Sequence, residues 1–346
     1  MKRLILLFLL IVTLALPVHA SDFEAPSAPE EVGDLIPAER SDFGSDLWNI
    51  ILKSIGLLQP QLLKAAGTCL TVTALVLLAS LVKVLPGDVT KATELATMLA
   101  VGTVLFQQTG SMITLAAQTV QELSDYGKLL LPVLTAAMAA QGGFTTSAAI
   151  YGITAVFDAL LCTAVTELLI PVVYIYIALC VVACVSGEII VQKVKNAVKW
   201  AATWGLKIAM YVFTGYLGIT GVVSGTVDAA AAKATKLTIS GMVPVVGGIL
   251  ADASETVIVG AGVMKNAAGI YGLLVLAAIF VSPFLSIGLQ YLMLKLTAAL
   301  CEIFDVKPVS DLVKGFSSAM GLLVGMTGAV CVVLMISTVC FMKGIT

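Results

Sequence analysis

The sequence is almost without histidine: His19 is the only one in 346 residues. It lies in an N-terminal segment that reads as a cleaved leader, so the mature chain is expected to hold none. Without histidine there is no Ser-His-Asp or Cys-His site and no H-E-x-x-H zinc site. Rhomboid-like and zinc-dependent intramembrane proteolysis are thereby excluded. Charge is the second shortage. Only 12% of residues are charged and 59% are hydrophobic, against roughly 25% and 45–50% in an average soluble domain. A soluble exterior of this size needs more charge than that, which removes soluble enzymes, nucleic-acid binders, coiled coils and disordered scaffolds. No G-x-x-x-x-G-K-[ST] stretch occurs, so nucleotide hydrolysis by that route is absent. The seven cysteines lie in or near apolar stretches, and Cys180-x3-Cys184 lacks a second pair, so no metal or other cofactor is expected.

What the chain does have is long unbroken apolar runs. They predict an all-α fold, a polytopic transmembrane helical bundle of six to ten spans, rather than the alternating strands of an outer-membrane barrel. Lys2 and Arg3, the apolar run Leu4 to Leu16 and Val18-His19-Ala20 form a secretory signal peptide over residues 1–20. From 21 to 46 follows an acidic tail, eight acids against the lone Arg40, expected to be extracytoplasmic, flexible and little packed. Beyond it stand sixteen lysines and thirteen acids. Six charge-free windows mark firm spans: Ala65 to Val82, Leu95 to Gln121, Leu168 to Gly187, Ile208 to Val227, Asn266 to Leu294 and Gly315 to Met342. Leu129 to Ala149 and Ile239 to Val263 are interrupted by Gly, Pro and polar residues, and each is a short span or a re-entrant hairpin.

Lysine placement orients the helices. Lys193, Lys195, Lys199 and Lys207 form the densest loop, cytoplasmic by the positive-inside rule. Lys295, Lys307 and Lys314 mark a second inner loop, and Lys83 with Lys91 a third. The N-terminus then lies outside. Motifs also recur in order: Ala149-Ile150-Tyr151-Gly152 matches Gly269-Ile270-Tyr271-Gly272, Ile170-Pro171 matches Ser282-Pro283, and Val198-Lys199 matches Val313-Lys314. This describes a parallel internal repeat. The expected layout is an N-terminal membrane region of two spans over 47–127, repeat 1 over 128–238 and repeat 2 over 239–346.

Pro132 with Gly142 and Gly143, and Pro244 with Gly247 and Gly248, are candidate hairpin or conduit positions, tolerable only where buried or lining water. Asp158 and Glu167 are candidate intramembrane acids. A carboxylate there is expensive and functional by default; the weightier alternative places both at an interface or hairpin end reached by water. Gly221 with Gly225, and Gly321 with Gly325, have the spacing of close helix packing, within the chain or in a homo-oligomer.

The segment Leu130-Leu131-Pro132-Val133-Leu134-Thr135-Ala136 with Gly142-Gly143, and above all Ser240-Gly241-Met242-Val243-Pro244-Val245-Val246-Gly247-Gly248, followed by Asp252-x2-Glu255 and Lys265-Asn266-Ala267, resembles the stage III sporulation protein AE family. The resemblance runs from about Leu129 to the C-terminus. It implies a mother-cell membrane protein of a channel complex linking mother cell and forespore, which supports late forespore gene expression. The implied partners are the other stage III proteins AA to AH and, through them, the forespore stage II protein Q. It transfers no catalytic residues. The expected function is therefore a non-enzymatic channel or export component. A secondary transporter acting through Asp158 or Glu167 is the runner-up, and a scaffold without a conduit is the third class.

Overall fold

Apolar runs that must satisfy their own backbone hydrogen bonds in lipid form helices, and the described residues are helical almost throughout. The computed structural model describes residues 25–37, 43–82, 89–140, 144–219, 267–304 and 306–343. One helical turn, α1 (Glu30–Gly33), precedes α2 (Phe43–Leu57), α3 (Gln59–Val82) and the long α4 (Val89–Ala140). Then come α5 (Phe144–Thr163), a π-helical turn (Ala164–Leu169), α6 (Ile170–Ser186) and α7 (Ile189–Ile219). The chain closes with α8 (Ala267–Ile303) and α9 (Lys307–Lys343). No strand occurs among the described residues.

Among the described residues five stretches are long and apolar enough to cross a membrane: Gln59–Val82, Ala92–Ala137, Tyr151–Ser186, Ala268–Ile303 and Lys307–Met342. This is the all-α polytopic bundle expected. Five of the six charge-free windows fall in these stretches. The window from Ile208 starts in α7 and leaves the described residues after Ile219. The last three stretches have 36 residues each. They rise ~54 Å against a hydrocarbon core of ~30 Å, so they tilt or reach into the headgroup layers.

The first candidate hairpin is helical on both sides. Pro132 lies inside α4, with its side chain exposed, and the helix continues to Ala140. From Phe144 α5 runs back against α4. Gly142, Gly143 and the whole second hairpin candidate, with Pro244, Gly247 and Gly248, lie outside the described residues, as do Gly221 and Gly225. A second proline explains the π turn. Pro171 has no N–H to offer the carbonyl of Glu167, and its ring presses on that carbonyl. The extra residue of a π turn absorbs the conflict: the Ile170 N–H reaches back to the Val165 carbonyl. Gly187 then ends α6 at φ 66°, a left-handed conformation that glycine adopts without Cβ strain.

At the centre stands α9. It packs along α8 and also touches α4, α5, α6 and α7, and its span is buried on nearly every face. Close approach is needed to surround one helix with five. A Cβ on Gly315 would stand 2.6 Å from Cys180 Sγ and 3.1 Å from Cys180 Cβ, across α9 and α6. On Gly272 it would stand 2.7 Å from both methyls of Leu130, across α8 and α4. Gly321 and Gly325 are buried in α9.

The acidic segment is not all a loose tail. Val32, Leu35 and Phe43 are buried in the core, and α1 touches α8. Lys53 Nζ donates to the Asp34 carbonyl at 2.8 Å, and Tyr126 OH to the Pro26 carbonyl at 3.3 Å. A few apolar anchors between the acids outweigh the net charge that suggested a solvated leader.

Gly315→Val is expected to lower the melting midpoint of the purified protein, on the order of 1–3 kcal/mol of overpacking. Adding Cys180→Ala to the same chain should restore part of it. An unchanged midpoint in Gly315→Val would show that α9 and α6 are not held this close.

Candidate functional site

Three spans leave a polar groove between them. Along α4, positions 104, 107, 108, 111, 115 and 118 follow helical spacing and share one face. Four of them are Gln107, Gln108, Ser111 and Gln118. They look across at Thr68 and Thr71 of α3 and at Ser286 and Gln290 of α8, around a space of about 710 Å³. Gln108 Nε2 donates to Gln290 Oε1 at 3.0 Å, and the Thr68 hydroxyl donates to Gln108 Oε1. Gln61 and Lys64 line the groove as well. Gln290 is buried, whereas Thr71, Gln107, Ser111 and Gln118 are exposed. In hydrocarbon each unsatisfied amide would cost several kcal/mol. The exposed row therefore needs water or a polar partner.

A second polar place is enclosed. Asp158 of α5 is 6% exposed. Ser337 of α9 donates to its Oδ1 at 3.3 Å, and its Oδ2 has no hydrogen-bond partner. It faces a cavity of about 90 Å³, shared with Ser124, Gly127, Lys128 and Leu131 of α4, Tyr151 and Cys162 of α5, and Leu334 of α9. That volume holds a water or a small cation, since a water occupies ~30 Å³. The Lys128 ammonium, on the rim, is turned to Asp125 at 2.9 Å. Glu167 sits on the π turn and is exposed. The two acids expected inside the membrane are thus kept apart, one interior and one on the outer surface. The seven cysteines are free, six buried and Cys184 half-buried. Among the described residues no group of three His, Cys, Asp or Glu side chains could hold a metal.

Of the sequence candidates, Pro132 touches neither place, although its neighbour Leu131 lines the Asp158 cavity. The groove is a feature that a reading by charge alone passes over, because glutamine, threonine and serine do not interrupt a charge-free window. The available signal was the Gln107-Gln108 pair at the middle of Leu95 to Gln121, and Gln290 near the end of Asn266 to Leu294.

Residues 40–344 match the model of the stage III sporulation protein AE family. The chain belongs to that family. The match takes in α2, α3 and the part of α4 before Leu130, upstream of the motifs that carry the resemblance in sequence. Among curated proteins, the stage III sporulation protein AE of Bacillus subtilis (strain 168) is 23% identical over 197 residues, which is 57% of this chain and 49% of the relative. The chain thus spans about half the length of the curated relative it matches. No solved structure matches it.

Cysteines introduced at Ser111 and Gln118 are expected to react with a membrane-impermeant maleimide above the background of the parent chain. Cysteines at Leu70 and Leu78, exposed on α3, should stay at background. Equal labelling of both pairs would mean that the groove is no wetter than the lipid-facing surface.

Proposed function

We propose that the chain is a non-enzymatic membrane component of a channel or export complex between mother cell and forespore, and that it supports late forespore gene expression. Family membership supports the sporulation role, and the polar groove between α3, α4 and α8 is the observation that carries the conduit reading. On this reading the protein lies in the mother-cell membrane around the forespore. Its lysine-rich end faces the cytoplasm and its N-terminus, once freed of the signal peptide, faces outward. The groove's exposed row of polar residues meets a further wall, supplied by a second copy or by another of the stage III proteins AA to AH. Contact with the forespore stage II protein Q runs through those partners.

The internal repeat fits the same picture. Phe144–Ser186 followed by α7, and α8 followed by α9, each place a proline-containing long helix ahead of a second long helix. This layout supports reading 128–238 and 239–346 as copies of one unit, with the first copy's second helix at the surface and the second copy's at the centre.

A cation-coupled transporter is the second reading, favoured by the unpartnered Oδ2 of Asp158. Reconstitution into liposomes separates it: cation-coupled uptake lost in Asp158→Asn would support it, and equal uptake by parent and variant would remove it. For the conduit, the double variant Gln108→Leu, Gln290→Leu keeps volume and packing but dries the groove. Heat-resistant spores and a late forespore reporter are both expected to fall while membrane levels of the protein hold. Normal sporulation in that variant would overturn the conduit reading.

A further inference from the structure

Lysines converge at the end of the bundle where α6 stops, α7 starts, α8 stops and α9 starts. Two adjoining cavities of about 460 and 540 Å³ open there and share Lys199, Lys314 and Ser318. The first adds Lys195 and Lys307, the second Lys295. Two acids, Glu302 and Asp311, line them. Both acids converge on one lysine: Glu302 is ion-paired with Lys314, and Asp311 Oδ1 lies 3.9 Å from the same ammonium. Among the described residues no carboxylate pairs with Lys195, Lys199, Lys295 or Lys307. Lys199 Nζ donates to Ser318 Oγ at 3.0 Å, and Lys295 Nζ stands 4.9 Å over the Tyr291 ring. Neither contact neutralises a charge.

The excess charge is therefore built in and partly desolvated. Burial first, with the neighbouring Lys195 adding to it, pushes the Lys199 ammonium below the usual lysine range. An anion in the cavity would relieve both effects. The surroundings say which anion. Beside the lysines, α7 exposes Ile189, Ile190 and Val194, and about two to three turns further into the bundle Trp200 and Trp204, which continue as one exposed row with Ile208 and Tyr211. At the end of α8, Ile303 is exposed. Tryptophans on the surface of a basic amphipathic helix belong to the headgroup level of a bilayer. A soluble acidic peptide or free phosphate would use the lysines and leave the apolar row of α7 unused. An amphiphile uses both.

We propose that this end of the bundle is a binding site for the phosphate headgroup of an anionic membrane lipid, held by Lys195, Lys199 and Lys307 with its acyl chains running inward along Trp204 and Ile208 of α7. Basic pockets between spans are known to take such headgroups, and the site gives the complex a preference for the anionic leaflet.

The test is native mass spectrometry of the full-length chain from mixed micelles holding phosphatidylglycerol and phosphatidylcholine in equal amounts. Phosphatidylglycerol should be retained over phosphatidylcholine by about ten-fold in the parent and in the control Lys64→Gln, Lys128→Gln. The preference should vanish in Lys195→Gln, Lys199→Gln, Lys307→Gln. Equal retention of the two lipids by the parent, or a preference that survives in the triple variant, would overturn the proposal. So would release of the lipid by inorganic phosphate or by polyglutamate, which would assign the lysines to a soluble anion or an acidic protein partner. Should the triple variant not fold, a photoactivatable phosphatidylglycerol on the parent chain decides. Crosslinks within 189–208 and 307–318 support the site, and crosslinks elsewhere remove it.

Discussion

Everything else in this molecule is arranged around one helix that has no outside. The central helix α9 carries Met320, Leu322, Leu323, Val324 and Gly325 on different sides, all buried, so no face is left for lipid. In a bilayer the hydrophobic effect does not drive such burial, since lipid tails are as apolar as leucine. Dispersion contacts have to supply it, and these are lost steeply with small gaps. That is why the neighbours come so close at Gly315 and Gly272, where a single methyl group would collide. The requirement comes from which helix lies opposite, which spacing along one chain does not encode.

The ends of α9 also set the distance between the two charged places. Ser318, in the lysine cavities, and Ser337, the partner of Asp158, are nineteen residues apart in sequence, or ~28 Å along a helix. That is close to the ~30 Å of a hydrocarbon core. The lysine end and the Asp158 cavity thus sit about one membrane thickness apart, joined by a rigid rod. Asp158 is enclosed by protein, with Lys128 on the rim of its cavity.

The same energetics explain what the sequence could disclose. A charge in hydrocarbon costs so much more than a neutral group that charge-free windows alone locate five of the spans. Reading charge as a boundary also misleads: Glu167 set the start of the window at Leu168, yet Tyr151–Ser186 is one stretch long and apolar enough to cross, with Asp158 enclosed and Glu167 turned outward. Glutamine escapes this filter in the opposite direction. Gln108 and Gln290 are far apart in the chain, each alone in an uncharged window, and only the packing of α4 against α8 makes them a pair. The acidic segment shows the third kind of blindness. Its net charge was legible, but Val32 and Leu35 act through a docking surface that exists only once α8 is in place. The family motifs were readable from Leu130 onward because proline and glycine in fixed spacing stand out from interchangeable apolar residues.

A solid centre constrains any conduit. In many pores the axis of the bundle is open, but here α9 occupies it and its side chains fill the space to α4, α5, α6, α7 and α8. A hydrated path cannot run down the middle of one chain without expelling the helix on which the packing depends. The polar groove avoids the conflict because it is peripheral: α3, α4 and α8 border it, and α3 is the least buried of the five spans. A peripheral groove with exposed glutamines and threonines is stable in a membrane only when another polar surface or water completes it. On the conduit reading, one chain therefore contributes a wall rather than a pore, and the number of walls is set by whatever assembles around α3 and α4.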